Sequence, residues 1–171
     1  MDKELKFALS EGSFLKRRAL QICEEALDHH LDGRVAKAIP IYAKSIRILP
    51  TAEAHCYLGW AYASTGKIDY AVQECLKAIS IDADFGNPYN DIGSYLVRQG
   101  KVDEAIAWFE KAKKAKRSDT PHYPYVNLGR VYTARGMVLR AIREFEKALE
   151  LKPNDEGCKD TLKELRLMSS R

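Results

Sequence analysis

Apolar residues return along this chain at helical spacing, in pairs of short segments that are divided by a glycine. Before Gly66, Leu58 and Tyr62 lie four residues apart, and after it Ala71 and Cys75 have the same separation. Residues four apart share one face of a helix. Glycine adopts the left-handed conformation that often ends a helix. The pattern therefore predicts two amphipathic helices joined by a glycine turn.

This unit recurs four times. The dividing glycines stand at intervals of 33, 34 and 36 residues, at Gly33, Gly66, Gly100 and Gly136. An alanine follows each glycine by five residues, an aromatic residue or cysteine by nine, and a small residue by twelve. Another small residue precedes each glycine by seven: Ala26, Gly59, Gly93 and Gly129. Because one such hairpin cannot bury its apolar face alone, we expect neighbouring hairpins to stack.

The period and these positions resemble the tetratricopeptide repeat, a helix hairpin of about 34 residues. The resemblance covers residues 19–155 and a flanking helix, and it implies an all-α, right-handed α-solenoid of antiparallel helix hairpins in a single domain. The predicted divisions are an N-terminal arm or start of the first helix at 1–18, a degenerate repeat 1 at 19–51, repeats 2, 3 and 4 at 52–85, 86–119 and 122–155, and a C-terminal capping helix at 156–171.

The N-terminal end departs most from the repeat. Repeat 1 has Glu25 and His29 where the family has leucine and tyrosine, as terminal repeats are often atypical. An apolar face that starts with Leu15 predicts that the first helix begins near Ser13. Residues 1–12 are compatible with a further helical turn or with a loose arm.

Composition limits the class of protein. Of the 171 residues, 46% are hydrophobic and 30% are charged, which is the balance of an ordinary soluble protein. No apolar run approaches the roughly 20 residues of a membrane helix, and the first residues lack the apolar core of a secretory signal. A net charge of +4 does not by itself predict nucleic-acid binding. Four cysteines without a paired motif favour a reduced, cytoplasmic setting.

Catalytic and cofactor motifs are missing from the sequence. It contains no phosphate-binding glycine loop, no nucleophile elbow and no paired cysteine or zinc motif, so we expect no enzyme activity, cofactor or metal. His29 and His30 point about 100° apart on a helix and do not converge on one ion. The basic run Lys111–Arg117 has two interpretations: it complements a helix C-terminus, or it forms a patch for an acidic partner or a nucleic-acid backbone.

The resemblance also implies a binding groove, since the first helix of each hairpin in this family lines a groove for extended or helical peptides. The candidate groove residues are Cys56, Tyr57, Trp60, Asn87, Asn90, Asp91, Ser94, Arg98, Tyr123, Asn127 and Arg130. Asn127 occupies a place where the family often has an asparagine that bonds a peptide backbone. Tyr57 and Trp60 either offer apolar binding area or pack between neighbouring hairpins.

One family ligand is not expected. Members that hold chaperone C-terminal tails use a carboxylate clamp of lysines, asparagines and an arginine. In repeats 1 to 3 the corresponding positions hold Cys23, Leu27, Tyr57, Asn87 and Asp91. In repeats 2 to 4 they hold Cys56, Trp60, Asp91, Tyr123 and Asn127. The lysines and the arginine are absent in both frames, and Asp91 would repel a carboxylate.

The sequence therefore predicts a non-enzymatic scaffold that binds a peptide or protein segment in its concave groove, with neither a membrane nor a nucleic acid as its partner. The alternative is a structural or self-assembling subunit of a larger complex. Self-association is possible because an imperfect terminal repeat leaves apolar surface exposed at the end of a solenoid, and repeat 1 is the imperfect one.

Overall fold

The computed structural model describes the backbone of residues 3–169 and the side chains of residues 12–169. Over these residues the secondary structure is helical, apart from one isolated bridge between Phe85 and Arg117. The helices are α1 (Lys3–Leu31), α2 (Val35–Ile48), α3 (Ala52–Ser64), α4 (Ile68–Ile81), α5 (Asn87–Arg98), α6 (Val102–Lys114), α7 (Tyr123–Ala134), α8 (Val138–Leu151) and α9 (Glu156–Ser169). Within this part of the chain, no helix combines the length and the apolar character that crossing a membrane requires.

The chain forms two compact units, Met1–Ala83 and Asp84–Arg171. In the first unit, α1 pairs with α2 and α3 pairs with α4, and α2 also packs on α3. In the second unit, α5 pairs with α6 and α7 pairs with α8, with further packing of α6 on α7 and of α8 on α9. Each unit therefore consists of two helix hairpins, and the second unit adds a closing helix.

Each hairpin turns on the predicted glycine. Gly33, Gly66, Gly100 and Gly136 have φ values of 77°, 80°, 78° and 68°. At the second of these turns, the Gly66 N–H donates to the Ala63 carbonyl at 3.1 Å, and the Lys67 N–H donates to the Tyr62 carbonyl at 2.9 Å. These bonds satisfy carbonyls that the helix end would otherwise leave unpaired, so the glycine conformation and the helix end support each other.

Inside the hairpins a glycine of the first helix lies against an aromatic ring of the second. A Cβ atom built on Gly93 would lie 2.5 Å from the Phe109 ring, and one built on Gly129 would lie 2.8 Å from the Phe145 ring. Phe109 is fully buried. The small residues predicted from the repeat therefore allow the close helix approach that seats the aromatic side chain.

The first helix begins earlier than predicted. It starts at Lys3 and continues through residues 3–12, so the predicted start near Ser13 is wrong. Of the two alternatives for the N-terminal segment, the structure has helical turns and not a loose arm. The segment is rich in lysine, glutamate, leucine and alanine and contains no proline before Gly12, and these residues favour a helix without tertiary support. The apolar face that begins at Leu15 marks where α1 starts to be packed, because Ala19 is its first buried residue among those with described side chains.

We expect Gly93→Ala to lower the free energy of unfolding by about 1–3 kcal/mol, because the buried Phe109 ring has no room to move away from the new methyl group. Urea unfolding followed by circular dichroism measures this change. Gly12→Ala is the matched control, since no atom lies within 4 Å of its Cβ position. It should leave the stability unchanged or raise it by up to about 1 kcal/mol. Equal stability of Gly93→Ala and the parent would contradict the proposed packing.

Candidate functional site

In the first unit, the exposed candidate is Trp60 on α3. Its side chain is 39% exposed and its ring lies against that of His30, with 4.0 Å between the ring centroids. His30 is buried on α1, and its Nε2 lies 3.3 Å from the Ser64 hydroxyl oxygen. The buried imidazole therefore supports one face of the indole and leaves the other part of it accessible to a partner.

His30 was not among the sequence candidates. It stands 34 residues before Ser64, which is one repeat length, and residues at equivalent repeat positions lie side by side on neighbouring first helices. Pairing residues one repeat apart is the sequence signal that could have found it.

Tyr57 and Cys56 are less accessible than Trp60. Cys56 is buried, and Tyr57 is half-buried against the core cluster of the first unit, with its ring centroid 6.3 Å from that of Tyr42. Of the two interpretations that the sequence left open for Tyr57, these contacts favour packing. Trp60 combines packing with exposure.

In the second unit, three polar candidates form one hydrogen-bonded cluster. The Asn127 amide on α7 donates to the Asn90 side-chain oxygen at 2.9 Å and to the Ser94 hydroxyl at 3.3 Å. The Ser94 hydroxyl donates in turn to the Asn90 carbonyl at 3.0 Å. Because the amide nitrogen makes both contacts, the Asn127 side-chain oxygen is the atom with which it can accept a hydrogen bond from a peptide N–H.

Asn87 has a structural role instead. Its side-chain oxygen accepts hydrogen bonds from the Ser118 hydroxyl at 2.8 Å and from the Asp119 backbone N–H at 3.0 Å. Its amide nitrogen donates to the Asp119 carboxylate at 2.8 Å. Next to it, the Gly86 N–H donates to the Arg117 carbonyl at 2.8 Å. These bonds hold the connection between α6 and α7 against the start of α5.

Four candidates line a cleft in the second unit with a volume of about 700 Å³. They are Ser94, Arg98, Asn127 and Arg130. The rest of the lining is largely apolar and comes from α5, α6, α7 and the turns that follow α5 and α7: Val97, Gly100, Val102, Asp103, Phe109, Val131, Ala134 and Arg135. Two of these lining residues pair with each other, because the Arg135 guanidinium lies 2.8 Å from the Asp103 carboxylate.

Asp91 and Tyr123 lie outside this cleft. Asp91 is half-buried on α5, two helical turns before Arg98. Tyr123 is exposed at the start of α7, where its ring centroid lies 4.3 Å from that of the buried His122. The candidates thus divide into an aromatic group in the first unit, and a cleft with flanking residues in the second.

Intramolecular contacts account for much of the basic run Lys111–Arg117. The Lys113 ammonium lies 3.1 Å from the Glu144 carboxylate, and the Lys116 ammonium lies 2.8 Å from that of Asp84. Burial alone would lower the pKa of Lys113, but its hydrogen bonds to the Glu144 carboxylate raise that pKa above the ordinary value. These contacts favour the structural interpretation over a patch for an acidic partner.

A buried hydrogen-bonded pair lies in the interior of the first unit. His55 Nδ1 on α3 lies 2.6 Å from a Glu74 carboxylate oxygen on α4, and Lys77 bonds the other oxygen at 2.7 Å. Burial would raise the pKa of Glu74, but the hydrogen bonds from His55 and Lys77 outweigh burial and lower it. The pair joins the two helices of one hairpin. No group of three or more potential metal ligands occurs among the residues that the structure describes.

We predict that His30 makes the first unit less stable in mild acid. Burial lowers the pKa of His30 below 6.5, so the unfolded chain takes up a proton there more readily than the folded chain. The contribution of the neutral His30 ring to the free energy of unfolding is therefore fully present above about pH 6.5 and declines below it. Chemical unfolding at neutral pH and at pH 5 measures this change. The free energy of unfolding should fall more for the parent than for His30→Phe, which keeps the ring contact with Trp60. Equal losses would contradict this role, since His122 and the other titrating groups are present in both proteins.

Comparison with known proteins is consistent with this architecture. Profiles of the tetratricopeptide repeat match residues 52–85, 87–119 and 122–155, together more than half of the chain. A curated relative, the small glutamine-rich tetratricopeptide repeat-containing protein 2 of Saccharomyces cerevisiae, is 35% identical over 75 residues. The match covers 43% of this chain and 22% of that protein, so the chain spans only about a fifth of the relative.

Solved structures share the fold. The structure from the functional characterization of Pseudomonas aeruginosa pilF has a TM-score of 0.80 at 23% identity, over 91% of this chain and 71% of that one. The first TPR of Spaghetti (RPAP3), bound to the HSP90 peptide SRMEEVD, has a TM-score of 0.63 at 22% identity, over 70% of this chain and 96% of that one. The predicted fold class, an all-α solenoid of helix hairpins, is confirmed. The chain belongs to the tetratricopeptide repeat family.

Proposed function

We propose that this chain binds peptides or extended segments of partner proteins with side chains of the first helices of its hairpins, which are α3 in the first unit and α5 and α7 in the second. Tetratricopeptide repeats in themselves indicate a protein–protein interaction scaffold. The observation that carries the finer proposal is the cleft of about 700 Å³ in the second unit, which is lined by Ser94, Arg98, Asn127 and Arg130.

The chemistry of the cleft suits a peptide. Pockets that bind ligands are mainly apolar, with a few polar groups that fix orientation. Here Val97 and Val131 form apolar parts of the cleft wall, and the Asn127 side-chain oxygen can accept a hydrogen bond from a backbone N–H. In the first unit, Trp60 offers an exposed indole already held by His30, and such preorganised aromatic side chains are frequent binding hot spots.

The comparisons support a peptide ligand as a class. The first TPR of Spaghetti is described as bound to an HSP90 peptide. The ligand proposed for this chain differs from a chaperone tail, because the positions of the carboxylate clamp hold residues such as Asp91 and Tyr123 instead of lysine and arginine.

We also propose a non-enzymatic role in the cytoplasm. All four cysteines are buried thiols that form no disulfide within the described residues, and burial raises the pKa of the Cys23 thiol to about 12 and that of Cys158 to about 11. Such thiols are poor nucleophiles at neutral pH. Free thiols are also typical of reducing compartments, which supports the proposed location.

The proposal is tested by two variants, one in each unit, each with a matched control. Trp60→Ala removes the exposed indole, and Tyr70→Ala removes an exposed aromatic side chain from α4, which is a second helix. Arg130→Ala and Arg143→Ala remove exposed arginines from α7 and from α8, respectively. Affinity purification from a lysate of the source organism, with quantitative mass spectrometry, measures which proteins each variant retains.

We expect Trp60→Ala or Arg130→Ala to lose one or more partners that the controls retain. A hot-spot residue contributes about 2 kcal/mol or more to binding, which corresponds to a loss of affinity of roughly 30-fold. Melting curves establish that all four variants are folded. Equal recovery of every protein by the four variants and the parent would contradict binding through the first helices.

A second candidate function is a structural or self-assembling subunit. Large apolar side chains are more than half exposed on the first and last described helices: Phe14, Leu31, Leu167 and Met168. Exposed apolar residues near the ends of repeat arrays favour association.

Sedimentation equilibrium from micromolar to near-millimolar protein separates the two candidates. Self-assembly predicts a mass that rises with concentration and that falls to the monomer value in Leu167→Ser/Met168→Ser or in Phe14→Ser. A monomer at every concentration would rule out the self-assembling subunit and would leave peptide binding as the function to test.

A further inference from the structure

The turn between α7 and α8 carries apolar side chains at positions that are charged in other hairpins. In the first three hairpins a basic residue directly follows the turn glycine: Arg34, Lys67 and Lys101. In the last hairpin that residue is Met137, and Leu139 stands where the second and third hairpins have Asp69 and Asp103. The Met137 side chain is 40% exposed and that of Leu139 is 66% exposed. Two apolar side chains therefore face solvent at this turn.

The stability of α8 does not explain the leucine. In α4 and α6 the corresponding aspartates, Asp69 and Asp103, lie in the first turn of the helix, where a carboxylate stabilises the positive end of the helix dipole. The first turn of α8 contains no acidic residue. Because Leu139 forgoes that stabilisation and is mostly exposed, a contact outside its own unit explains it better than packing inside the unit.

Two exposed arginines follow these apolar residues on α8. The Arg140 guanidinium carbon lies 5.8 Å from the centroid of the Tyr132 ring, a contact that leaves its positive charge in place. Arg143 is exposed and forms no ion pair within the part of the chain that the structure describes. Arg135, before the turn, is paired with the Asp103 carboxylate and contributes little net charge. The cations available at this turn are therefore Arg140 and Arg143.

The apolar and cationic side chains form successive layers along α8. Met137 and Leu139 lie at the turn, and Arg143 lies one helical turn further along, about 6 Å from Leu139 in the direction of the axis. Residues four apart share one face of a helix, so Leu139 and Arg143 lie on the same side of α8. A membrane surface has the matching order, with apolar side chains inserted at the boundary between headgroups and acyl chains and cations at the level of the headgroups. In protein interfaces, by contrast, polar residues form a rim around an apolar centre.

We propose that the turn between α7 and α8 contacts the surface of a membrane that contains anionic lipids. Met137 and Leu139 insert among the headgroups, and Arg140 and Arg143 bind lipid phosphates. Arginine suits this role because its guanidinium binds a phosphate through two parallel hydrogen bonds. The contact is confined to the last hairpin, since the turn of the preceding one, Lys101–Glu104, is mostly charged.

Such a contact is peripheral and reversible. Two apolar side chains insert less apolar surface than one acyl chain, which by itself gives only weak membrane binding. Each cation near an anionic surface raises the affinity about fivefold, so binding should require anionic lipid and weaken as salt is added. The sequence-based expectation that no membrane is a partner concerned apolar spans, and a peripheral contact needs none. This inference is independent of the proposed peptide binding by the first helices.

Sedimentation of the full chain with sucrose-loaded vesicles tests the proposal. One set of vesicles contains phosphatidylcholine alone, and the other contains phosphatidylcholine and phosphatidylserine in a ratio of about 2 to 1. The turn variant is Met137→Lys/Leu139→Asp, which gives residues 136–139 the sequence Gly-Lys-Val-Asp of residues 100–103. Because the chain already folds a turn of that sequence, the variant should fold, and its net charge is that of the parent. Leu76→Lys/Ile81→Asp is the matched control, with the same kinds of substitution at two exposed positions of α4.

A second pair of variants tests the cations. Arg140→Gln/Arg143→Gln removes the two arginines of the proposed site. Lys44→Gln/Arg47→Gln removes two exposed cations from α2 and has the same net charge, so non-specific attraction to anionic vesicles affects both variants equally. Thermal melting followed by circular dichroism establishes that all four variants are folded.

We expect the parent to sediment with the vesicles that contain phosphatidylserine and to remain in solution with phosphatidylcholine alone. The turn variant and Arg140→Gln/Arg143→Gln should each bind the anionic vesicles at least about fivefold more weakly than the parent. Each variant should also bind more weakly than its own control. The comparison of the two kinds of vesicle on the parent keeps the test decisive even if a variant fails to fold.

Several results would overturn the membrane contact. The parent might sediment with neither kind of vesicle, or the turn variant and the parent might bind the anionic vesicles equally, which would indicate non-specific attraction. Equal weakening by a variant and its control would have the same meaning. Sedimentation equilibrium without lipid identifies the other occupant: a dimer that the parent forms and the turn variant does not, without vesicle binding, would show that a second copy covers the turn.

Discussion

The close approach of the two helices in a hairpin is the constraint on which the rest of the structure depends. Gly93 has no side chain, and the ring of Phe109 occupies the space where its Cβ would lie. The same arrangement recurs with Gly129 and Phe145. Because each second helix is seated this closely, the first helices are held in fixed register, and their outward side chains have defined neighbours.

That register determines which candidate residues meet. Side chains about one repeat apart lie beside each other on neighbouring first helices, as His30 does with Ser64 and as Asn127 does with Ser94 and Asn90. In the first unit the result is an indole stacked on a buried imidazole. In the second unit it is an amide and hydroxyl cluster at the edge of an apolar cleft. Side chains held by such contacts are ordered before any partner arrives, which would lower the entropy cost of the proposed binding.

The density of charged residues along the sequence is a poor guide to which charges remain available to a partner. The densest cationic run, Lys111–Arg117, is engaged with acidic and aromatic side chains of the same unit, as with Lys113 and Glu144. Arg130 has no basic neighbour in the sequence, but its charge is unpaired and lies beside the apolar side chains that line the cleft. What a cation offers to a partner depends on the contacts it already makes, and those contacts join residues that are distant along the chain.

The sequence by itself determined the helix hairpins, the glycine turns and the small residues opposite Phe109 and Phe145, because helix periodicity, glycine conformation and side-chain size are local properties that repeat with a fixed period. It also selected residues that line the cleft, through a family resemblance. Only the tertiary structure decided that His30 lies under Trp60, that Asn87 is committed to the connection between α6 and α7, and that Arg130 remains unpaired. These outcomes depend on side-chain contacts between segments about 30 or more residues apart, which no local pattern in the sequence specifies.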